Sequence, residues 1–324
     1  MSKLFFILFS FIQLSSSGQE VFQRKLTMLT SPFEMTVVAN DTVQANKYID
    51  AAIAETSRIE NLLSDWKPES QISKVNQNAG IQPIKVDEEI FELIKRAIKI
   101  SILTDGAFDI SYASMDNIWK FDESMKQMPS SEAIKKSLEK VGYQKIILDE
   151  NKKTVLLRDT GMKLGLGGIA QGFIADKIKI LLVKMGCTSG IANVSGDISA
   201  WGKQPDGKPW AVGIVNPMNK TKAFGLLPIT NGAVVTSGNY EKFVTFNKVR
   251  YSHIIDPRTG YPASKIISVT VFAPKAELAD ALATSIFVMG SDVGINMVDQ
   301  IPNTECIIID DEGKIYKSKN ININ

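Results

Sequence analysis

From Ser189 to Lys265 the chain reads as one strand after another, each stopped by a turn and none followed by a helix. The turns are Asp206-Gly207, Asn216-Pro217, Asn231-Gly232, Asn247-Lys248 and Arg258-Thr259-Gly260. Strands joined this closely pair antiparallel, because a parallel pair needs a crossover of a dozen or more residues. Helical patterns lie on either side of this block. From Asn46 to Leu63, apolar residues fall at Ile49, Ala52, Ile53, Ile59, Leu62 and Leu63, with a polar back face. From Asp87 to Leu103, Ile90, Leu93, Ile94, Ala97 and Ile98 form a stripe; Asp87 can cap it and Gly106 lies past its end. A shorter helix is predicted over Ser131–Val141, and a hairpin where Lys145–Leu148 and Thr154–Arg158 flank Asp149-Glu150-Asn151-Lys152. Helices over Ile169–Met185 and Ala276–Met289, a strand over Glu305–Ile309, a turn at Asp311-Glu312-Gly313 and a last short strand complete the pattern. Runs of strands and helices that alternate irregularly define an α+β fold, not a doubly wound sheet.

Composition narrows the chemistry. The 324 residues are 44% hydrophobic, enough for a sizeable core without structural metals or disulfides. Net charge is +2 with no long Lys/Arg run, so nucleic acid is not an expected partner. There is one histidine, His253, so a multi-histidine metal site within one chain is excluded. The only cysteines are Cys187 and Cys306, which excludes a four-cysteine zinc site or an iron–sulfur cluster held by one chain. At the N-terminus, Lys3 precedes the apolar run Leu4–Leu14, followed by Ser15, Ser16, Ser17 and Gly18. That is the pattern of a secretory signal peptide over residues 1–18, too short for a comfortable membrane span. Residues 19–324 then form one functional unit, exported and periplasmic, with no cysteine placed for a lipid anchor. Export exposes Cys187 and Cys306 to an oxidising compartment, and whether they pair is left open.

Four motifs carry candidate chemistry. Gly165-Leu166-Gly167-Gly168-Ile169-Ala170 fits G-x-G-x-x-A between a strand and a helix. A dinucleotide-binding βαβ unit also needs a parallel strand ending in an acid about 20 residues on, and Asp197 lies too far along. What remains is either tight helix–sheet packing or backbone N–H groups brought close to a phosphate at a helix start. Thr104-Asp105-Gly106-Ala107-Phe108-Asp109 follows a helix, as a glycine cap or as a grip on a planar heterocycle. His253 stands just before a rigid Asp256-Pro257-Arg258-Thr259-Gly260 turn, as part of an anion site or as an ordinary surface or core residue. Asp280 and Thr284 are i and i+4 on a helix; the pair suits a hard cation such as Mg2+, or else a solvated acid beside a Thr bonded to its own helix.

Taken in order, these segments resemble a known family. Ser64-Asp65-Trp66 with Ser70 and Asn76, GAFD at 106–109, GLGGIAQGFIAD at 165–176, Thr236-Ser237-Gly238-Asn239-Tyr240, HIIDPRTGYP at 253–262 and the Asp280/Thr284 helix are similar to the ApbE family, from about Ser31 to the end. The resemblance implies an Mg2+-dependent FAD:protein FMN transferase with two lobes, mixed or antiparallel sheets flanked by helices, and an FAD cleft between the lobes. It implies transfer of FMN to a Thr or Ser hydroxyl of an acceptor flavoprotein, typically a subunit of a membrane redox complex, with release of AMP. Carried over by position, Phe33, Trp66, Ala107, Phe108, Asp109, Gly165, Gln171 and His253 match cofactor contacts. The Gly168 carbonyl, Asp280 and Thr284 match the Mg2+ ligands, and His253 and Asp280 are the candidates for taking the acceptor proton.

The chain departs from the pattern at several points. Gly165 stands where many members have Asp, Gln171 where they have Lys or Glu, Asn239 where the motif has Asp, and Ala283 where some carry a metal-binding Asp. The same site could instead hydrolyse FAD to FMN and AMP, or hold FAD outside the cytoplasm without turning it over.

Overall fold

The computed structural model describes residues 18–121, 125, 127–215, 223–239, 243–246 and 249–321. Most of the proposed signal peptide, the Asn216-Pro217 and Asn247-Lys248 turns and Tyr240 lie outside the described residues. The chain opens with a hairpin, β1 (Glu20–Met28) and β2 (Ser31–Ala39), followed by α1 (Thr42–Leu63), α2 (Gln71–Gln77), β3 (Ile84–Lys85), α3 (Glu88–Leu103) and α4 (Ser131–Ser137). Then come β4 (Ile146–Asp149), β5 (Thr154–Leu157), α5 (Ala170–Lys184), β6 (Gly190–Val194), β7 (Asp197–Trp201), β8 (Trp210–Val215) and β9 (Ala223–Ile229). The remainder is β10 (Asn231–Gly238), β11 (Phe243–Phe246), β12 (Val249–Ser252), β13 (Ile266–Ala273), α6 (Ala276–Met289), α7 (Ser291–Val298), β14 (Glu305–Asp310) and β15 (Ile315–Lys317).

Among the described residues, eight strands form one sheet in the order β1-β2-β6-β7-β10-β13-β14-β15. Every neighbouring pair is antiparallel, as are the small β3-β5-β4 sheet and the β8-β9 and β11-β12 ribbons. The α+β expectation therefore holds, and the mixed-or-antiparallel alternative resolves to antiparallel. Helices α1, α5 and α6 lie side by side over the sheet, α1 against β2, α5 against β6 and β7, and α6 against β10 and β13. Trp210 of the β8-β9 ribbon packs separately with Val38 and Ala200.

The helices form where the apolar spacing placed them. Helix α1 buries Ala45, Tyr48, Ile49, Ala52, Thr56, Ile59 and Leu63, one stripe at helical period. It begins earlier than expected, because Asp41 caps it by accepting from the Gln44 N–H at 2.7 Å. Asp87 does occupy the N-cap position of α3, but its side chain makes no capping bond; Glu88 and Glu89 supply the negative charge of the first turn. Helix α4 stops at Ser137, short of Val141. Helix α6 is apolar almost all round and ten of its residues are buried, as befits a helix enclosed by sheet, α5 and α7. Cys187 and Cys306 are both buried free thiols, with no disulfide between them.

Two local contacts set α6 in place. At Gly172 on α5 an added Cβ would stand 2.2 Å from the Ala276 carbonyl oxygen, so only glycine lets the two helices approach this closely. One turn later Asp176 accepts from the Ala276 N–H at 3.0 Å, the Glu277 N–H at 3.1 Å and the Ser199 hydroxyl at 3.0 Å. Lys275, at the N-cap of α6, offers no side-chain acceptor, so α5 supplies the cap from outside.

Candidate active site

A cavity of about 560 Å³ opens where the C-terminal end of β10, the start of β7, the start of α5 and the middle of α6 converge. Its wall draws on the loop after α3 (Ala107, Phe108, Asp109), the glycine segment (Gly165, Gly167, Gly168, Gln171) and the β6–β7 turn (Ser195, Asp197). Thr236, Ser237 and Gly238 of β10, His253, and Asp280 and Thr284 of α6 complete it. Segments far apart in sequence, most of them singled out by their motifs, thus share one wall.

Each position has a local cause. The i, i+4 spacing puts Asp280 and Thr284 on the same face of α6, and both are turned to the cavity. Asp280 Oδ2 accepts from the Gly172 N–H at 3.2 Å, and the Thr284 hydroxyl lies 3.5 Å from that of Ser237. A Cβ at Gly168 would come within 3.2 Å of Thr284 Oγ1 and 3.4 Å of the Phe108 ring, so the glycine backbone passes directly beside the Thr284 hydroxyl. The approach to α5 is pinned from α2: Asn76 accepts from the Leu164 N–H at 2.7 Å and donates to the Leu164 carbonyl at 3.1 Å. The Gly165 N–H donates to the Ile110 carbonyl at 2.8 Å.

Asp109 lines the cavity, yet its carboxylate is engaged by its own surroundings. Oδ1 accepts from the Ser111 N–H and hydroxyl, each at 2.7 Å, and Oδ2 from the Tyr143 N–H at 2.7 Å. Burial pushes this carboxyl above the usual range while those donors pull the other way. Its contribution to the wall is the shape of the 107–111 loop. His253 is exposed at the rim, its ring edge-on to Phe121 at 6.5 Å. The turn behind it is rigid: Arg258 Nε and Nη2 each reach Asp256 at 2.9 Å, and Trp119 Nε1 donates to the Gly260 carbonyl at 2.9 Å.

Two expected cofactor contacts are not on this wall. Phe33 lies inside the core on β2 opposite Val194 and is not among the residues that line the cavity. Trp66 is 90% exposed and stands away from the cavity, after the end of α1. Conversely, Asp197, too far along the chain to serve a dinucleotide-binding βαβ unit, lies in the cavity wall, 4% exposed. Burial first, then the neighbouring Asp280 carboxyl, pushes its ionisation well above the ordinary carboxylate range. Burial raises Asp280 as well. Ser195 and Gly196, with positive φ values of 59° and 103°, make the tight β6–β7 hairpin that fixes Asp197 in space.

The ApbE family model matches residues 29–308, and the chain belongs to the ApbE family. It is 29% identical over 295 residues to an FAD:protein FMN transferase of Klebsiella pneumoniae, covering 90% of each chain. With the FAD:protein FMN transferase of Treponema pallidum it shares 33% identity over 277 residues, covering 81% of this chain and 76% of the relative. Its fold is similar to the crystal structure of the ApbE protein of Thermotoga maritima, with TM-score 0.84, 30% identity, and 93% and 97% of the two chains covered. The flavin transferase ApbE of Vibrio cholerae is similar at TM-score 0.80 and 26% identity, with 93% and 98% covered.

Proposed function

We propose that this chain is an FAD:protein FMN transferase in which FAD occupies the 560 Å³ cavity and a divalent cation, Mg2+, sits between Gly168, Asp280 and Thr284. One observation carries the reading. The glycine segment, the 107–109 loop, His253 and the Asp280/Thr284 face of α6, remote from one another in sequence, line a single cavity.

The donor set fits a hard cation. A carboxylate, a hydroxyl and a backbone carbonyl are oxygen donors, and the Gly168 backbone passes beside the Thr284 hydroxyl. Among the described residues no group of three or more His, Cys, Asp or Glu side chains is placed to hold a metal. That is the sparse protein share expected for Mg2+, which keeps waters and substrate phosphate oxygens in its shell, and it does not suit zinc. When bound, Mg2+ would neutralise the diphosphate and the charge that develops on the departing AMP.

The chain's own residues do the rest. Phe108 and Ala107 give an apolar wall against which a planar ring can lie, and Asp109 holds that loop in shape. Backbone at Gly165, Gly167 and Gly168 leaves room for phosphate oxygens near the start of α5, with Gln171 beside them. The acceptor Thr or Ser oxygen bonds to the phosphorus of the FMN half. The bond from that phosphorus to the bridging oxygen breaks, AMP leaves with the oxygen, and the hydroxyl proton passes to His253 or Asp280.

The apolar run Leu4–Leu14 supports export and cleavage near Gly18, which puts the enzyme in the periplasm beside flavoprotein subunits of membrane redox complexes. Among the described residues no helix is long and apolar enough to cross a membrane. The test is to incubate the purified chain with FAD, Mg2+ and a Thr-bearing acceptor flavoprotein. Covalent flavin on the acceptor and release of AMP are expected. Conversion of FAD to FMN and AMP with an unlabelled acceptor would make the chain a hydrolase, and unchanged bound FAD would make it a carrier.

A further inference from the structure

We propose that Asp197, at the start of β7, is a further acidic ligand of the cation site, facing Asp280 of α6 across the cation position. This rests on the reading above that a divalent cation binds beside Asp280 and Thr284. Four observations on the wall of the cavity carry it. Asp197 lines the same cavity as Gly168, Asp280 and Thr284. It is 4% exposed, so water does not solvate its charge freely. Among the described residues no protein donor reaches its Oδ2, a buried carboxylate oxygen left without a hydrogen bond. The Asp280 carboxyl on the same wall is itself 5% exposed.

A buried acid with an unmatched oxygen costs stability unless something positive meets it. Among the described residues no cationic side chain bonds that oxygen. Lys179 lies one turn along from Asp176 on α5, with its Nζ 2.6 Å from Asn231 Oδ1 and 3.0 Å from the Ala200 carbonyl, bonded elsewhere. A divalent cation meets the requirement, since it takes oxygen donors and supplies two positive charges. The hairpin turn Ser195-Gly196 and the Asp176–Ser199 bond fix β7 against α5, so Asp197 is held at the site by rigid elements on both sides. Asp197 thereby adds a second carboxylate to a site that otherwise has one.

Mn2+ binding to the full chain without FAD, followed by electron paramagnetic resonance and by calorimetry, tests this in wild type, Asp197→Asn and Asp280→Asn. The expected result is a Mn2+ affinity at least tenfold weaker in Asp197→Asn, while its thermal midpoint in EDTA is no lower than wild type, because one of two crowded acids has been neutralised. An affinity within twofold of wild type, in a variant that is folded by circular dichroism, overturns the assignment. So does a weakening that comes with a fall of the midpoint in EDTA and is not reproduced by Asp197→Ser in a folded state. If wild type itself binds no Mn2+, with or without FAD, the cation reading fails as a whole. If wild type binds and transfers flavin but Asp197→Asn binds equally well, only the assignment of Asp197 fails.

Discussion

Gly172 and Gly165 are both glycines of one motif, and the structure gives them different reasons. At Gly172 a Cβ would meet backbone, the Ala276 carbonyl oxygen at 2.2 Å, which cannot move without moving α6. Gly172→Ala is therefore expected to destabilise the fold by about 3 kcal/mol, at the upper end of overpacking costs, and to displace Asp280 from the Gly172 N–H. Denaturant titration measures the first effect and the rate of flavin transfer the second. At Gly165 an added Cβ would meet the Ala113 Cβ at 2.8 Å and the Tyr112 ring at 3.2 Å. An Asp side chain has no room here, so Gly165→Asp is expected to lower the thermal midpoint and the activity; a more active and equally stable variant would contradict this packing. Asp280 and Thr284 were legible because i, i+4 on a strongly apolar helix leaves no choice of face. Asp197 was not, because its significance is a neighbour on another element, and the spacing along the chain carries no trace of that contact. The place of Phe33 in the core was hidden for the converse reason: an aromatic residue on a strand looks the same in sequence whether its face of the sheet meets a ligand or the core.

At the scale of elements, α6 depends on α5. Three donors converge on the Asp176 carboxylate, two of them the first free N–H groups of α6. Asp176→Ala removes that cap and should cost about 2 kcal/mol of stability. Because α6 carries Asp280 and Thr284, a shift of about 1 Å in its position should also lower the transfer rate about 100-fold. Thermal unfolding and initial-rate measurements on the same preparation check both, and a variant that loses stability but retains full rate would separate the cap from the site. Helices α3, α5 and α6 could be read from their periods and glycine punctuation, and the β4–β5 hairpin from its turn. The β1–β2 hairpin could not. Strand β1 is an edge strand whose sequence mixes Gln23, Arg24 and Lys25 with half-buried apolar residues, and its tight turn uses Leu29 and Thr30 at positive φ where glycine or asparagine would have signalled it. Helices α2 and α7 are too short to show a period.

Across the whole molecule, the helical layer is tied together by one acid. Glu89 of α3 pairs with Arg58 of α1 and lies 2.8 Å from Lys177 Nζ of α5. Hydrogen bonding to Arg58, ahead of that to Lys177, lowers its carboxyl to about 2. An unfolded glutamate titrates near 4.3. Its folded value is depressed, so the stability it contributes is complete above that value and is lost as pH falls toward about 2. Glu89→Gln should accordingly lower the thermal midpoint at pH 7 and flatten its decline between about pH 4.5 and pH 2, a slope that unfolding curves at a series of pH values will show. A variant with the same acid slope as wild type would remove Glu89 as the source. The antiparallel sheet, the helices over it and the family to which they belong were readable from ordered motifs, because turns and periods are local. The closing of those motifs around one cavity is a property of the assembled layers.

In the proposed reaction the cavity hands the flavin half of FAD to a protein hydroxyl. The direct measurement is intact-mass analysis of a Thr-bearing acceptor after incubation with the chain, FAD and Mg2+, beside the same reaction with Asp280→Ala. The acceptor is expected to gain one FMN less one water, with one AMP released per flavin attached, and Asp280→Ala to abolish the gain. An acceptor of unchanged mass while FAD is consumed, or an Asp280→Ala variant that labels the acceptor as fast as wild type, would contradict it.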